Sequence, residues 1–411
     1  MIKKILKHTR NLLLVTLGVG SLYLINLFFM KPFSIDHFLA KELILDLTSS
    51  PEELTYVGVL DDYNWLTNHN SKLSIPKETD IEDGIEHTEK AIKTLYKYDD
   101  SRLSDTQIST KKIAIFDYEN HLRELRDFPY LDYPLNQIGG IHLNTIEFMN
   151  DVHPIRKKSE ANDFIKRTDL IKEVYQGVLA DLEKQAKSGI YPPEFVYGHV
   201  IKQLDEFIEY SNEEHPLYTQ FMSKINQLDL DQEDVNYFEN EIKRSISESV
   251  TPGFKVLRDF MIRTQKYANK NHGIWSQPGG DEYYKLKIRT FTTTDYSPEE
   301  IHQIGLSEVK RISERMRYIL SSLGYDESKS VGEIMNELNE NPDFLYADTP
   351  DRKEIVVKDY TEMVEEAYEV MKDYFHTMPK SKVIVKAVPE YSERTAAGGY
   401  YQSPALDGSR P

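Results

Sequence analysis

The sequence predicts a mainly α-helical protein, with one membrane-spanning helix ahead of the folded part and a small β element near the C-terminus. Three observations point there. Apolar residues recur at helical spacing through most of the chain after residue 100. Residues 12–30 contain no charged side chain, a run long enough to cross a bilayer as a helix. KVIVKAVP at 382–389 is β-branched and strand-like.

At the N-terminus, Lys3, Lys4, Lys7 and Arg10 precede the apolar run and only Lys31 follows closely. The positive-inside rule then places residues 1–10 in the cytoplasm as a basic tail. Residues 11–30 form a signal anchor, and residues 31–411 are a helical extracytoplasmic domain. A cleaved signal peptide is the competing reading. The uncleaved anchor is preferred because the apolar run exceeds a normal signal core and no small-x-small site follows before Lys31.

After the anchor, 34–47 has a helical pattern and SSPEEL at 49–54 opens a fresh cap. The chain is then polar and loop-rich around short helices, such as 86–96, as far as about residue 111. Longer helical patterns follow at 109–125, 143–149, 159–189, 194–210, 217–228 and 234–250. Gly189, Pro192 and Pro193 punctuate them. Another helix opens at 251–253. Pro278, Gly279 and Gly280 then turn the chain ahead of a helix that holds Tyr283 and Tyr284.

The next helix is the most sharply defined. Ser297 is its N-cap, Pro298 its first residue, and Glu300 completes a capping box by bonding back to the cap amide. It should end at Leu323 and Gly324, where glycine takes the left-handed closing conformation. Ile301, Ile304, Gly305, Ile312, Met316 and Ile319 form one stripe, with Glu308 in its middle. A carboxylate in an apolar face must be paired, hydrogen-bonded or protonated. Two readings stay open: a structural pair with Arg311 or Arg315, or a carboxylate that borders a cleft together with His302. A further long helix is expected over 353–375.

With 411 residues, 39% of them hydrophobic, the chain can bury a large core. Its 50 basic and 68 acidic residues leave a net charge of −18. That argues against nucleic acid as a partner, because phosphate binding needs a basic footprint. The absence of cysteine excludes disulfides, thiolate nucleophiles and thiolate zinc sites, so any metal would need His, Asp or Glu. None of the 12 histidines is followed by Glu, and none pairs with another at helical i, i+4 spacing. The helical H-E-x-x-H zinc motif is therefore missing, as are G-x-S-x-G and both glycine-rich phosphate motifs. The pairs Tyr283–Tyr284 and Tyr400–Tyr401 place phenols beside glycine-rich turns, where they can donate to a ligand oxygen or simply complete a core. AAGGYY at 396–401 suits a backbone that approaches a ligand closely.

Five segments stand out, of which the central and terminal ones are specific: SPEELTYVGV at 50–59, GIHLNTIEFMNDVHPI at 140–155, KSGIYPPEFV at 187–196, HGIWSQPGGDEYYKLKIRTFTTTDYSPEEIHQIGLSEVKRI at 272–312, and VPEYSERTAAGGYYQSPALDGSRP at 388–411. Together they resemble the bacterial family known as domain of unknown function 885, over almost everything after the anchor. The resemblance implies a large helical zincin-type scaffold of the gluzincin kind, similar to neurolysin-like and thermostable-carboxypeptidase-like peptidases. It also implies zinc as cofactor and a peptide-like substrate for a complete member.

The family's expected metal motif, H-E-x-x-P-G-H-H, follows D-G-S-R-P-G, and this sequence stops at Asp407, Gly408, Ser409, Arg410 and Pro411. No catalytic residue, metal ligand or cofactor is thus carried over to this chain. What transfers is a cleft wall: an edge strand over 396–401 along the substrate, with Ala397, Gly398, Gly399, Tyr400 and Tyr401, flanked by His302, Tyr284 and Arg410. Two functions follow. One is the N-terminal part of a membrane-anchored, extracytoplasmic zinc-metallopeptidase-like protein, inactive as it stands. The other is an anchored helical protein that binds or scaffolds without catalysis.

Overall fold

The computed structural model describes residues 2–389, 393 and 398–405. It is mainly α, and the chain divides into two compact units, 1–283 and 284–411.

Unit 1 opens with α1 (Ile2–Phe29), α2 (Ile35–Ser49), α3 (Pro51–Val57) and the single turn α4 (Asn64–Thr67). The hairpin α5 (Asp80–Leu95) and α6 (Asp105–Asp127) follows, then α7 (Ile141–Glu147), α8 (Lys158–Lys187), α9 (Glu194–Glu209), α10 (Pro216–Ile225), α11 (Gln232–Ser245) and α12 (Thr251–Thr264). Caps written in the sequence start several of these. Ser34 accepts from the His37 amide, Ser50 from that of Glu53 ahead of Pro51, and Ser104 forms a full box with Gln107.

The axis of unit 1 is α8, whose 30 residues span about 45 Å. Ala161, Phe164, Ile165, Thr168, Ile171, Val174, Tyr175, Val178 and Leu182 make its buried stripe. Helices α11 and α12 pack against it. Aromatic rings join these layers: Phe164 stacks on Phe221 of α10 at 4.8 Å between centroids, and Phe207 of α9 stacks on Phe254 of α12 at the same distance. A side chain at Gly253 would press to 3.2 Å of the Lys172 backbone, so this glycine sets how closely α12 approaches α8.

Between α11 and α12 the backbone does not break, as the sequence suggested, but widens into a π-helical turn (Ile246–Val250). Pro252 is the cause: it offers no amide to the carbonyl four residues back and its ring crowds that carbonyl. A second π turn (Phe148–Val152) ends α7 just ahead of Pro154.

The helix α13 (Gly280–Thr292) carries the boundary between the units. At its start Gly279 has φ +75°, and a side chain on Gly280 would collide with the Ile274 carbonyl, which explains the Pro-Gly-Gly turn. In unit 2, α14 (Pro298–Ser322) has the expected Ser297–Glu300 capping box and closes at Gly324 with φ +86°. It packs on α15 (Val331–Glu340), where Leu320 and Ile334 are buried, and α16 (Arg352–Met371) follows.

One expectation is corrected here. Residues 382–389 form no strand, and Val383 and Ile384 are exposed. Strand propensity needs a partner ladder, and the described residues of unit 2 include no strand to pair with. The helix expected at 11–30 does form as part of α1, but among the described residues no helix is long and apolar enough to cross a membrane.

Candidate functional site

The described residues expected to line a cleft are at the surface of unit 2. Tyr284 lies half exposed on α13, His302 is exposed on α14, and Gly398, Gly399, Tyr400 and Tyr401 sit in exposed coil with no strand. Ala397 and Arg410 lie outside the described residues. Within this set the contact described is an ion pair. Glu308 accepts from Arg311 at 2.7 and 3.0 Å, and that guanidinium holds its carboxyl below the usual range.

The pairing with Arg311 is the one expected, but the setting is not. Glu308 is 50% exposed, and Ile304, Ile312 and Ile319 of the same stripe are exposed with it. His302, the residue proposed to border a cleft with Glu308, is exposed too. An amphipathic pattern predicts the face a helix can bury, and no described neighbour covers this one.

The most densely built polar cluster lies in unit 1, around Arg167 on α8. Arg167 sits three residues after Phe164 and four before Ile171, in the middle of the buried stripe, and is fully buried. Every nitrogen of its guanidinium donates. Nε bonds the Lys72 carbonyl at 2.8 Å, and Nη1 bonds Nδ1 of His153 at 2.8 Å. Nη2 reaches Thr55 Oγ1 at 2.7 Å and the His69 carbonyl at 2.9 Å. Burial pulls its pKa down to about 10.

His153, presented by the π turn before Pro154, donates from Nε2 to the Glu160 carbonyl at 3.1 Å. Burial and the adjacent Arg167 push its pKa well down, so it is a neutral imidazole with a fixed tautomer. A second layer completes the cluster. Thr55 donates to Asn70, and Asn70 and His69 both meet Asp61 Oδ1 at 3.1 Å. Arg156 closes the outer side with Glu160 at 2.8 Å.

This cluster fastens the segment from α3 to residue 72 onto α8. Its cation is consumed by neutral acceptors and is not aimed at a ligand. Sequence reasoning passed over Arg167 although the signal was the one used for Glu308: a charge within an apolar helical stripe.

The donor set does not fit a catalytic zinc. Among the described residues no group of three or more His, Asp or Glu could hold a metal ion. His153 faces a guanidinium, and His69 is committed to Thr67 and Asp61. His142 bonds Gln203, and His215 caps α10 among Phe207, Tyr210 and Phe254. Three ligands must converge on one point, and these do not. A shallow groove of about 490 Å³ lies between α9 and α12, lined by Lys202, Asp205, Glu206, Glu209 and Ile262 among others.

Two solved structures place the fold. A candidate lipoprotein from Colwellia psychrerythraea superposes with a TM-score of 0.80 at 27% identity, over 89% of this chain and 63% of its own. A candidate lipoprotein of unknown function from Shewanella oneidensis gives 0.50 at 12% identity, over 82% of this chain and 61% of its own, and speaks for the fold alone. The chain therefore spans under two thirds of the length of both. No curated protein matches it. The family model described as "Bacterial protein of unknown function (DUF885)" matches residues 51–411, and the chain belongs to that family.

Proposed function

We propose that residues 31–411 are the helical scaffold of an exported, membrane-associated protein of the zinc-metallopeptidase type, with the metal ligands and catalytic base supplied by residues outside this chain. The observation that carries this reading is the uncovered apolar surface of unit 2. Ile304, Val309 and Ile312 on α14, and Tyr360, Met363 and Val370 on α16, are exposed in a chain that spans 63% of a neighbour with TM-score 0.80. Further helices packed on those faces would complete a zincin-type cleft, its near wall formed by His302, Tyr284 and the 397–401 segment, and Arg410 would reach it. The description of the Colwellia neighbour as a candidate lipoprotein supports export and a membrane location, which α1 would provide here.

A second reading is an anchored helical protein that binds without catalysis. One experiment separates the two. The gene is read past the codon for Pro411, and the longest product is analysed for bound zinc and for cleavage of a fluorogenic peptide library. One zinc per chain with peptide cleavage, alongside less than 0.1 zinc per chain (~10% occupancy) in residues 31–411 alone, supports the first reading. A longest product that holds no zinc sinks it and leaves the second.

A further inference from the structure

We infer that the junction between α1 and α2 is a rigid seat on a lipid surface, with Phe29, Met30 and Phe33 at the headgroup boundary and a clasp of Asn26, Lys31 and Tyr98 holding unit 1 against it. The inference rests on the proposal that α1 associates with a membrane, and goes beyond it by fixing how the domain is attached.

The clasp is built from side chains. Asn26 is buried near the end of an otherwise exposed helical run. Its Nδ2 donates to the Lys31 carbonyl at 2.9 Å, and its Oδ1 accepts from the Phe33 amide at 3.0 Å, so one side chain folds the chain back at the helix end. Lys31 turns inward, donating to the Lys97 carbonyl at 2.8 Å with its ammonium 4.3 Å over the Tyr98 ring. Tyr98 donates to the Pro32 carbonyl at 2.8 Å, and its ring lies in the core cluster of Ile35, Phe38, Ala91 and Leu95. Higher on the helix, Tyr23 meets His37 edge-on at 5.4 Å. A flexible tether has none of these contacts.

The direction of Lys31 matters. A lysine at the end of a membrane helix ordinarily extends along the surface to the headgroups. Here it is spent on the domain, and the surface left around the helix end is apolar, with Phe29 84% and Phe33 73% exposed. No spacer then separates lipid from fold.

A lipid occupant is favoured over a protein one by the helix itself. Leu14, Val15, Leu17, Val19, Leu22, Leu24 and Ile25 are exposed over more than half of its circumference, wider than the apolar stripe of a helix that docks on protein. Lys3, Lys4, Lys7 and Arg10 at its far end suit anionic headgroups.

The chain lacks cysteine, so a single Phe33→Cys carries one spin label in the full chain. The probe is that protein in vesicles of phosphatidylcholine and phosphatidylglycerol. The label should be reached more readily by oxygen than by an aqueous nickel chelate, and should be strongly immobilised. Combining Asn26→Ala with Tyr98→Phe should speed its rotation at least threefold (~0.65 kcal/mol by RT ln 3) while vesicle flotation stays unchanged. A mobile, nickel-accessible label on protein that floats with vesicles would overturn the rigid seat and leave the anchor standing. Protein that fails to float overturns both. Spin–spin broadening that persists on dilution with unlabelled lipid would assign the surface to a second copy of the chain and likewise refute the inference.

Discussion

Arg167 shows what a single buried cation does when it has no carboxylate against it. Its charge is spread over carbonyls, a hydroxyl and an imidazole. Replacing Arg167 with Met keeps much of the volume but leaves the Lys72 carbonyl and Nδ1 of His153 in a dry interior lacking a donor and takes one partner from Thr55, while the His69 carbonyl keeps the Lys72 amide at 3.0 Å. The expected cost is about 3 kcal/mol or more in urea unfolding, against about 1 kcal/mol for Thr55→Val, which removes one member of the network. Equal costs for the two would show that Arg167 is not its centre. Glu308 is the counter-case: its position in an apolar stripe suggested burial, yet it meets Arg311 at the surface, where such a pair contributes little.

At the scale of elements, the most legible feature in the sequence was the start of α14. Ser297, Pro298 and Glu300 determine it locally, and the observed box bonds at 2.8 and 3.2 Å are those the residue types dictate. The strand at 382–389 was misread for the opposite reason, because β structure is completed by a distant partner that local sequence does not contain. The uncovered stripe of α14 has a measurable consequence. Substituting Val309→Glu and Ile312→Lys should change unfolding stability by less than about 0.5 kcal/mol, since both side chains are exposed. The same pair should sharply reduce self-association in sedimentation velocity, because exposed apolar surface drives it. Marked destabilisation would mean that this face is covered within the chain.

For the whole molecule, the deep core belongs to unit 1, and three buried histidines make it sensitive to acid. Burial lowers His142 to about 4 and His215 to about 3, and burial with Arg167 lowers His153 well below its ordinary value. Unfolded, each titrates near its ordinary value of about 6.5, so below that pH the unfolded chain binds more protons than the folded one. Stability is therefore fully present above about pH 6.5. It is lost progressively as the pH falls toward 4, by on the order of 1 kcal/mol per pH unit for each histidine. Urea midpoints measured from pH 7.5 to 4.5 should drop accordingly, and His142→Asn should flatten the slope. A midpoint independent of pH across that range would contradict the neutral, buried assignment.

What the sequence determined by itself is what depends on neighbours in the chain. Helix starts and stops, the mainly α composition, the lack of a recognisable metal motif and the family pattern across 51–411 could all be read from residue type and spacing. The tertiary structure decided which of two charges in apolar stripes is buried, that Pro252 widens a helix instead of ending it, and that Asn26 and Tyr98 clasp α1 to the domain. The physical reason is shared by the first and the last. Burial and hydrogen bonding across 66 to 112 residues of chain, as between Tyr98 and Pro32 or Arg167 and Thr55, exist only once the helices have packed.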